Sequence, residues 1–283
     1  MLVDHTRFPS TLTASLIAKE PFAICFSGGL DSRFLAHVAH SIGCDFIALH
    51  IRGVHIPHKE SEEARAWATN HAIPFFEIEA DISPQSPILR NPKNRCYLCK
   101  KMIFQKMKAF LRAQNETRSL LDGTNLDDTG EYRPGNQAIR EEGIFSPLKF
   151  CSLRKKDIRF LARETGLENP DQLSSACLFT RFPYDVPLDP CVLTSISLCE
   201  EKIRSLLSSD SQTQNLPFRL RVMESCVLQI PFLLSSQYGR INALLEENGF
   251  FGTRLFLSDH ISGFYDTDHP RIEDLPLLSQ PYL

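Results

Sequence analysis

The chain has 283 residues, enough for one or two domains. Its 42% hydrophobic content excludes disorder as the overall state, and its net charge of −3 (31 − 34) argues against a general nucleic-acid binder. No apolar run approaches the roughly 20 residues of a membrane helix, and Met1-Leu2-Val3-Asp4 lacks the basic and apolar regions of an export signal, so a soluble cytoplasmic protein with reduced thiols is expected.

Phe22–Phe26 is a short apolar run, as expected of a strand buried on both faces. It runs into Ser27-Gly28-Gly29-Leu30-Asp31-Ser32, after which Phe34, Leu35, Val38 and Ala39 mark a helix closed by Gly43. Phe46–Ile51 reads as a second strand. Ala64, Trp67, Ala68 and His71 recur at helical spacing. Pro74–Ile78 predicts a third strand, Cys96–Leu111 a helix, Ser119–Asp122 a fourth strand, and Ile158, Leu161 and Ala162 a helix stopped by Gly166. Strands alternating with helices predict an α/β fold, with a mainly parallel sheet covered on both faces. The pattern changes near Asp185. A Pro-rich link, Val186–Pro190, precedes a helix around Ile196–Leu207, strands at Phe218–Met223 and Cys226–Ile230, a helix through Ile241, Leu244 and Leu245, and a last strand at Thr253–Leu257. The expected domains are therefore 1–185 and a small α+β domain, 186–283.

The hexapeptide after the first strand lies at the carboxyl end of the sheet, where such folds bind ligands. Gly28 and Gly29 let the backbone approach an anion, Ser27 and Ser32 add hydroxyl donors, and the next helix aims its free N–H groups at the same point. There is no Gly-Lys-[Ser/Thr], so this is not a Walker A loop. It resembles the PP-loop of ATP pyrophosphatases, which grips the β,γ-pyrophosphate of ATP during attack on the α-phosphate. Such a site needs Mg²⁺, for which Asp31, Asp122, Asp127 and Asp128 are the candidate carboxylates; a solvated acidic turn is the competing reading.

Nine cysteines cannot all pair. Cys25 and Cys44 lie in or beside apolar runs, and Cys151, Cys191, Cys199 and Cys226 have no ligand-like spacing, so these six read as small buried hydrophobes. Cys96 and Cys99 begin a helix at i and i+3, on one face, among Arg95, Lys100 and Lys101. With Cys177 they give three thiolates, and a [4Fe–4S] cluster with three protein ligands keeps one iron open. A structural zinc, a redox C-x-x-C and plain helix packing are the alternatives.

In combination these segments resemble the LarE family of ATP-dependent sulfur transferases, which serve nickel-pincer nucleotide cofactor biosynthesis. The matching stretches are Ser27–Ser32, Asn91–Lys100, Asp122–Asp128, Tyr132-Arg133-Pro134-Gly135, Ser146-Pro147-Leu148, and Ala176-Cys177-Leu178 with Arg181. The resemblance implies that ATP adenylylates a carboxylate of a pyridinium dicarboxylate mononucleotide, releasing pyrophosphate, and that a sulfur nucleophile displaces AMP to leave a thiocarboxylate. It implies Ser27, Gly28, Gly29, Asp31 and Ser32 at ATP, with Asp31 and Cys177 catalytic. In one family type the cysteine at the position of Cys177 gives up its own sulfur. In the other, three cysteines, here Cys96, Cys99 and Cys177, hold a [4Fe–4S] cluster whose open iron carries a sulfide from an external donor. All three positions are cysteine in this chain, which favours the cluster type. A homo-oligomer is also implied, and Arg181 and Glu200 are matched to substrate-site positions. Arg219 and Arg221, two apart on a predicted strand, share a face and read as an anion clamp. The chain departs from the family at Thr180 and Asp185, and Gln229 stands where an acidic residue is expected, so it offers no carboxylate to a metal. A tRNA thiolase, an amide synthetase and a non-enzymatic ATP-sensing or iron–sulfur scaffold are the competing readings. The first lacks a basic arm here, and the second leaves the three cysteines without a role.

Overall fold

Phe22-Ala23-Ile24-Cys25 is apolar at every position because both of its faces are covered: it forms β1 (Phe22–Cys25), an inner strand of a parallel sheet. The computed structural model describes residues 7–277 except 84, 130–133, 174, 211–212, 215 and 267–270, with only the backbone described at 129, 235, 236 and 272. The sheet is completed by β2 (Phe46–Arg52), β3 (Phe75–Glu79) and β4 (Ser119–Leu121), in the order β3-β2-β1-β4. All pairings are parallel, with Phe22 opposite Phe46 on one side and Ser119 on the other. A single parallel bridge from Leu121 to Phe145 extends the sheet beyond β4.

Among the described residues it is accompanied by the helices α1 (Ser10–Ile17), α2 (Leu30–Ser41), α3 (His58–Asn70), α4 (Arg95–Ala113), α5 (Gly135–Glu141), α6 (Pro147–Phe150) and α7 (Lys155–Glu164). Strand side chains alternate between two cores. Phe22, Ile24, Phe46 and Leu121 pack with Leu12 and Leu16 of α1, Phe34 and Val38 of α2, Ala64 of α3 and Ile158 of α7. Ala23, Leu49 and Leu120 face the other way, onto Phe104, Met107 and Leu111 of α4 and Ala138 of α5. That is the period-two logic of a strand covered on both sides. Helix α1 was not anticipated: Ser10–Ile17 is rich in hydroxyl and β-branched residues, and its apolar anchor in the core is the i, i+4 pair Leu12 and Leu16, both fully buried.

The chain divides into two compact units, Met1–Ser83 with Asn94–Ser175, and Pro84–Lys93 with Ala176–Leu283. The expected boundary lay after residue 185; by packing, the second unit starts at Ala176 and takes in an excursion from the first half of the chain. Asn91 explains the excursion. Its backbone is left-handed (φ 52°), and its side-chain amide donates to the carbonyls of Pro183 at 2.6 Å and Phe182 at 3.2 Å. The Asn91 carbonyl accepts from the Asp185 amide at 3.0 Å, and that of Leu89 from Leu188 at 2.7 Å.

In this second unit α8 (Pro190–Leu207) starts with Asp189, whose carboxylate accepts from the Cys191 amide at 2.8 Å, and with Pro190 in its first turn. Strands β5 (Arg219–Val222), β6 (Cys226–Ile230) and β7 (Arg254–Leu257) form a sheet in that order, antiparallel then parallel, with α9 (Tyr238–Glu247) between the last two in sequence. Leu193, Ile196, Ile203, Leu220, Leu228, Ile241 and Leu245 are among its buried apolar residues. The observed architecture is the expected α/β fold with a small separate C-terminal sheet.

Phe22 is fully buried and stacks on Phe46 with ring centroids 5.7 Å apart. Phe22→Ala is expected to cost about 3–5 kcal/mol in chemical denaturation. Phe160→Ala, at a half-exposed position on α7, is expected to stay within about 0.5 kcal/mol of the parent.

Candidate functional site: the loop after the first strand and the Cys177 turn

The segment between β1 and α2 turns with Gly28 in the left-handed region (φ 79°). A Cβ there would also stand 2.8 Å from the Cβ of Ala64 on α3, so only glycine fits. Gly29 is the residue before the first turn of α2, whose leading amide groups have no helical partner. The Ser27 and Ser32 hydroxyls stand 3.2 Å apart, and Ser32 donates to the Gly29 carbonyl at 3.0 Å. Two hydroxyls and a set of helix-end amides thus surround a concave backbone, an arrangement suited to phosphate oxygens. A second glycine was missed in the sequence. A Cβ on Gly123, just past β4, would meet the Ser32 amide nitrogen at 3.0 Å and the Asp31 carbonyl carbon at 3.1 Å. The loop is therefore held between Ala64 on one side and Gly123 on the other.

The four candidate aspartates have different posts. Asp122 is buried and accepts from the hydroxyls of Thr124 and Ser146, each at 2.6 Å. Asp127 accepts from the Lys155 backbone amide at 2.9 Å, and Asp128 from the Asn125 amide at 3.0 Å, so both shape the turn after β4. Asp31 lies in the first turn of α2, where the Lys155 ammonium sits 2.8 Å from each of its carboxylate oxygens. The Asn125 amide reaches one of those oxygens at 3.4 Å. Lys155 is the first residue of α7 and was not singled out in the sequence, because a lone lysine 124 positions away carries no local signal.

On the α3 side an open cleft is lined by Ser27, Gly28, Gly29, Glu60, Glu63, Gln172, Leu173 and Ser175. Its far wall is fixed by Arg33, a buried guanidinium that donates to the Glu168 carbonyl at 2.8 Å and the Gln172 side chain at 2.7 Å, and lies over the Trp67 ring. Burial lowers the Arg33 pKa, against the pull of Glu168 and Glu63. His50 ties the loop to α3: one ring nitrogen is 2.9 Å from the Phe26 carbonyl and the other 2.9 Å from the Ser61 hydroxyl. Burial lowers its pKa despite the Phe26 bond, and burial beside His50 pushes His55 down to about 4.

Cys96 is exposed and Cys99 half-buried on the first turn of α4, with both thiols on one helix face. Two sulfurs so placed fit two corners of a metal cluster. Cys177 belongs to the second unit. Among the described residues no group of three His, Cys, Asp or Glu side chains stands ready to hold a metal ion. Of the cysteines read as packing, burial raises the thiol pKa of Cys25, Cys199, Cys44 and Cys226, the second and third to about 12.

The turn that carries Cys177 has its carbonyls taken by buried donors. Arg181, 2% exposed, donates to the carbonyls of Ala176 at 2.9 Å and Cys177 at 3.3 Å. Its other two nitrogens grip Glu200 at 3.0 and 2.6 Å. Arg221 donates to the Thr180 carbonyl at 2.6 Å, to Ile261 at 2.7 Å and to the Gln229 side-chain oxygen at 2.6 and 3.0 Å. Tyr265 donates to the Arg181 carbonyl at 2.9 Å. Burial works against ionised Glu200, but the charge and bonds of Arg181 and the Leu220 amide outweigh it and hold the carboxyl below its ordinary range. Burial lowers Arg221 to about 10. Thus Arg181, Glu200 and Arg221, expected at the substrate, have their hydrogen-bonding groups turned inward, and Gln229 serves Arg221. Arg219 is half-buried, with one nitrogen 2.7 Å from the Phe218 carbonyl.

The other family-like stretches interlock. A Cβ on Gly135 would stand 2.8 Å from the Lys100 side chain, so this glycine makes room for the residue after Cys99. Ser146 binds Asp122, as above. Tyr132, Arg133 and Ser174 lie outside the described residues.

No protein-family model matches the chain. It is similar to an uncharacterized protein of Methanocaldococcus jannaschii, 32% identical over 64% of this chain and 69% of that one. It is also similar to a pyridinium-3,5-bisthiocarboxylic acid mononucleotide synthase of Lactiplantibacillus plantarum, 29% identical over 70% of this chain and 72% of that protein. An uncharacterized protein of Synechocystis sp. is 29% identical over 85% of the chain and 90% of its own length.

Two predictions follow from the loop and its supports. Gly28→Ala should cost about 1–3 kcal/mol, from backbone strain and the clash with Ala64, and Ala64→Gly added to it should recover only the clash. For the histidines, His37, His50 and His55 all have folded-state pKa values below the ordinary 6.5. The unfolded chain therefore binds more protons as the pH falls below that value. Stability should be full above it and decline toward the folded-state values, by up to about 1.4 kcal/mol per pH unit for each histidine. Denaturation midpoints between pH 8 and 5 check this, and His50→Gln should remove about one proton from the slope.

Proposed function

The chain belongs to the LarE family, and from that we propose that it is an ATP-dependent sulfurtransferase acting in nickel-pincer cofactor biosynthesis. Its substrate in this reading is a pyridinium dicarboxylate mononucleotide. The observation that carries the reading is the cradle at Ser27–Ser32, where Gly28 holds a left-handed backbone with no room for a Cβ and α2 presents its free amides.

The β- and γ-phosphates of ATP lie on the amides of the loop and the hydroxyls of Ser27 and Ser32. A substrate carboxylate oxygen attacks the α-phosphorus, the bond to the β-phosphate oxygen breaks, and pyrophosphate leaves. Activation is needed because oxide is a poor leaving group from a carboxylate, whereas AMP is a good one. Asp31 is the carboxylate assigned to Mg²⁺, since Asp122, Asp127 and Asp128 are engaged in building the turn. A sulfur nucleophile then adds to the acyl carbon, AMP departs, and a thiocarboxylate remains.

For the sulfur step we assign Cys96, Cys99 and Cys177 as the ligands of a [4Fe–4S] cluster, which supplies that nucleophile when bound and charged by an external sulfide donor. The tightly held carbonyls of the 176–183 turn keep the Cys177 backbone in one geometry, which is what a ligand or donor sulfur requires. Arg181, Glu200 and Arg221 serve that purpose in this reading, and Arg219 is the arginine assigned to the substrate phosphate. A homo-oligomeric assembly belongs to the same proposal. Among the described residues no helix is long and apolar enough to cross a membrane.

Protein purified without oxygen should contain about four irons and four acid-labile sulfides per chain, lost in a Cys96→Ala/Cys99→Ala variant. Asp31→Ala should abolish pyrophosphate release and keep the iron. Cys177→Ala should keep pyrophosphate release and form no thiocarboxylate. An iron-free protein that consumes Cys177 in one turnover would move the sulfur source to that residue. Full sulfur transfer by Cys177→Ala would overturn both sulfur assignments.

A further inference from the structure

Asp31 and Lys155 carry an inference that rests on the nucleotide reading above and deepens it. The Lys155 ammonium is equidistant, at 2.8 Å, from both oxygens of Asp31. Its backbone is held independently, through the Asp127 carboxylate at 2.9 Å. Both side chains are about a quarter exposed, so the pair is reachable by solvent and by a ligand (Lys155 25%, Asp31 24%). Gly123 sets the turn after β4 close to this pair, because its missing Cβ is what lets that turn lie against the backbone of Asp31 and Ser32.

A carboxylate beside a phosphate cradle is an electrostatic liability, since it repels the polyanion the cradle is built to hold. A cation resting on it removes that repulsion while the loop is empty. An ammonium has three donors and a long flexible stem, so it can leave one anion for another a few ångströms away without moving the helix that bears it. We propose that Lys155 is the pyrophosphate-binding cation of this site and that it exchanges partners. Without nucleotide it neutralises Asp31. When Mg²⁺ arrives with the triphosphate, Asp31 turns to the metal and the ammonium passes to the oxygens of the β- and γ-phosphates, where it offsets the charge that builds on the leaving pyrophosphate. No proton is transferred and no bond to Lys155 forms. The residue thus couples metal arrival to retention of the leaving group.

The exchange has a thermodynamic signature that a fixed structural ion pair lacks. Binding of inorganic pyrophosphate, with and without Mg²⁺, is measured by calorimetry on the full chain for the parent, Lys155→Met, Lys155→Arg, Asp31→Asn and the Lys155→Met/Asp31→Asn double variant, with melting temperatures recorded for each. Lys155→Met should weaken Mg²⁺-pyrophosphate binding at least about tenfold, the scale of a lost charged hydrogen bond, and Lys155→Arg should restore most of it. Asp31→Asn should tighten metal-free pyrophosphate by about tenfold, because the ammonium is released, and the gain should be clearly smaller in the Lys155→Met background, where only the repulsion by Asp31 is removed and no ammonium is freed. If Asp31→Asn gains equally in both backgrounds, simple removal of negative charge explains it and the exchange is overturned. Unchanged pyrophosphate affinity in a folded Lys155→Met variant overturns it too, and leaves the nucleotide reading standing. If the parent binds neither pyrophosphate nor ATP, the nucleotide reading fails and the exchange fails with it.

Discussion

A close approach of three backbones governs the first unit. The loop between β1 and α2 lies within van der Waals reach of Ala64 on one side, and the turn at Gly123 lies within reach of Asp31 and Ser32 on the other. Gly28 has no room for a Cβ, and one on Gly123 would press on the backbone of Asp31 and Ser32, so each contact fixes one wall of the concave backbone. The rest of the unit supports these two contacts. His50 ties the Phe26 carbonyl to α3, and Arg33 ties α2 to residues 168–172. The alternating side chains of β1 fill both cores, so the strand feeding the loop has little freedom to shift.

The second unit solves a different problem. Burying two guanidinium groups is costly unless their donors are met. Arg181 and Arg221 meet them with Glu200, the Gln229 side chain and a run of main-chain carbonyls around Cys177. Gln229 shows how a change of residue type is absorbed: its oxygen accepts from Arg221 and its amide donates to the His260 carbonyl at 3.0 Å, so no charge is needed there. Phe264 and Tyr265 cover the Arg221 guanidinium, with ring centroids 4.8 and 5.6 Å from it. The result is a stiff turn presenting a half-buried thiol.

The βαβ units were legible because their apolar residues repeat with period two or 3.6 over long enough stretches, as in α4, which reads as a helix through Cys99, Ile103, Met107 and Phe110, although its most buried apolar residues are Phe104, Met107 and Leu111. The phosphate cradle was legible because its chemistry is local: glycines, hydroxyls and a helix start within six residues. Helices α1, α5 and α6 were not, being too short for periodicity to rise above composition. Lys155 and Gly123 were missed for a related reason. Their meaning lies in what they touch, and that partner is far away in the chain.

The amino-acid sequence by itself determined the strands and the longer helices, the loop able to hold phosphate, and the three cysteines on offer. These follow from interactions between residues a few positions apart, which backbone sterics and hydrophobic periodicity decide. The three-dimensional packing alone decided that residues 84–93 join the second unit, that Arg181 and Arg221 turn inward, and that Asp31 rests on Lys155. A guanidinium or ammonium reads the same in a sequence whether it faces water, a substrate or a buried carboxylate. Only the positions of distant partners, and the cost of leaving a buried donor unmet, select among those fates.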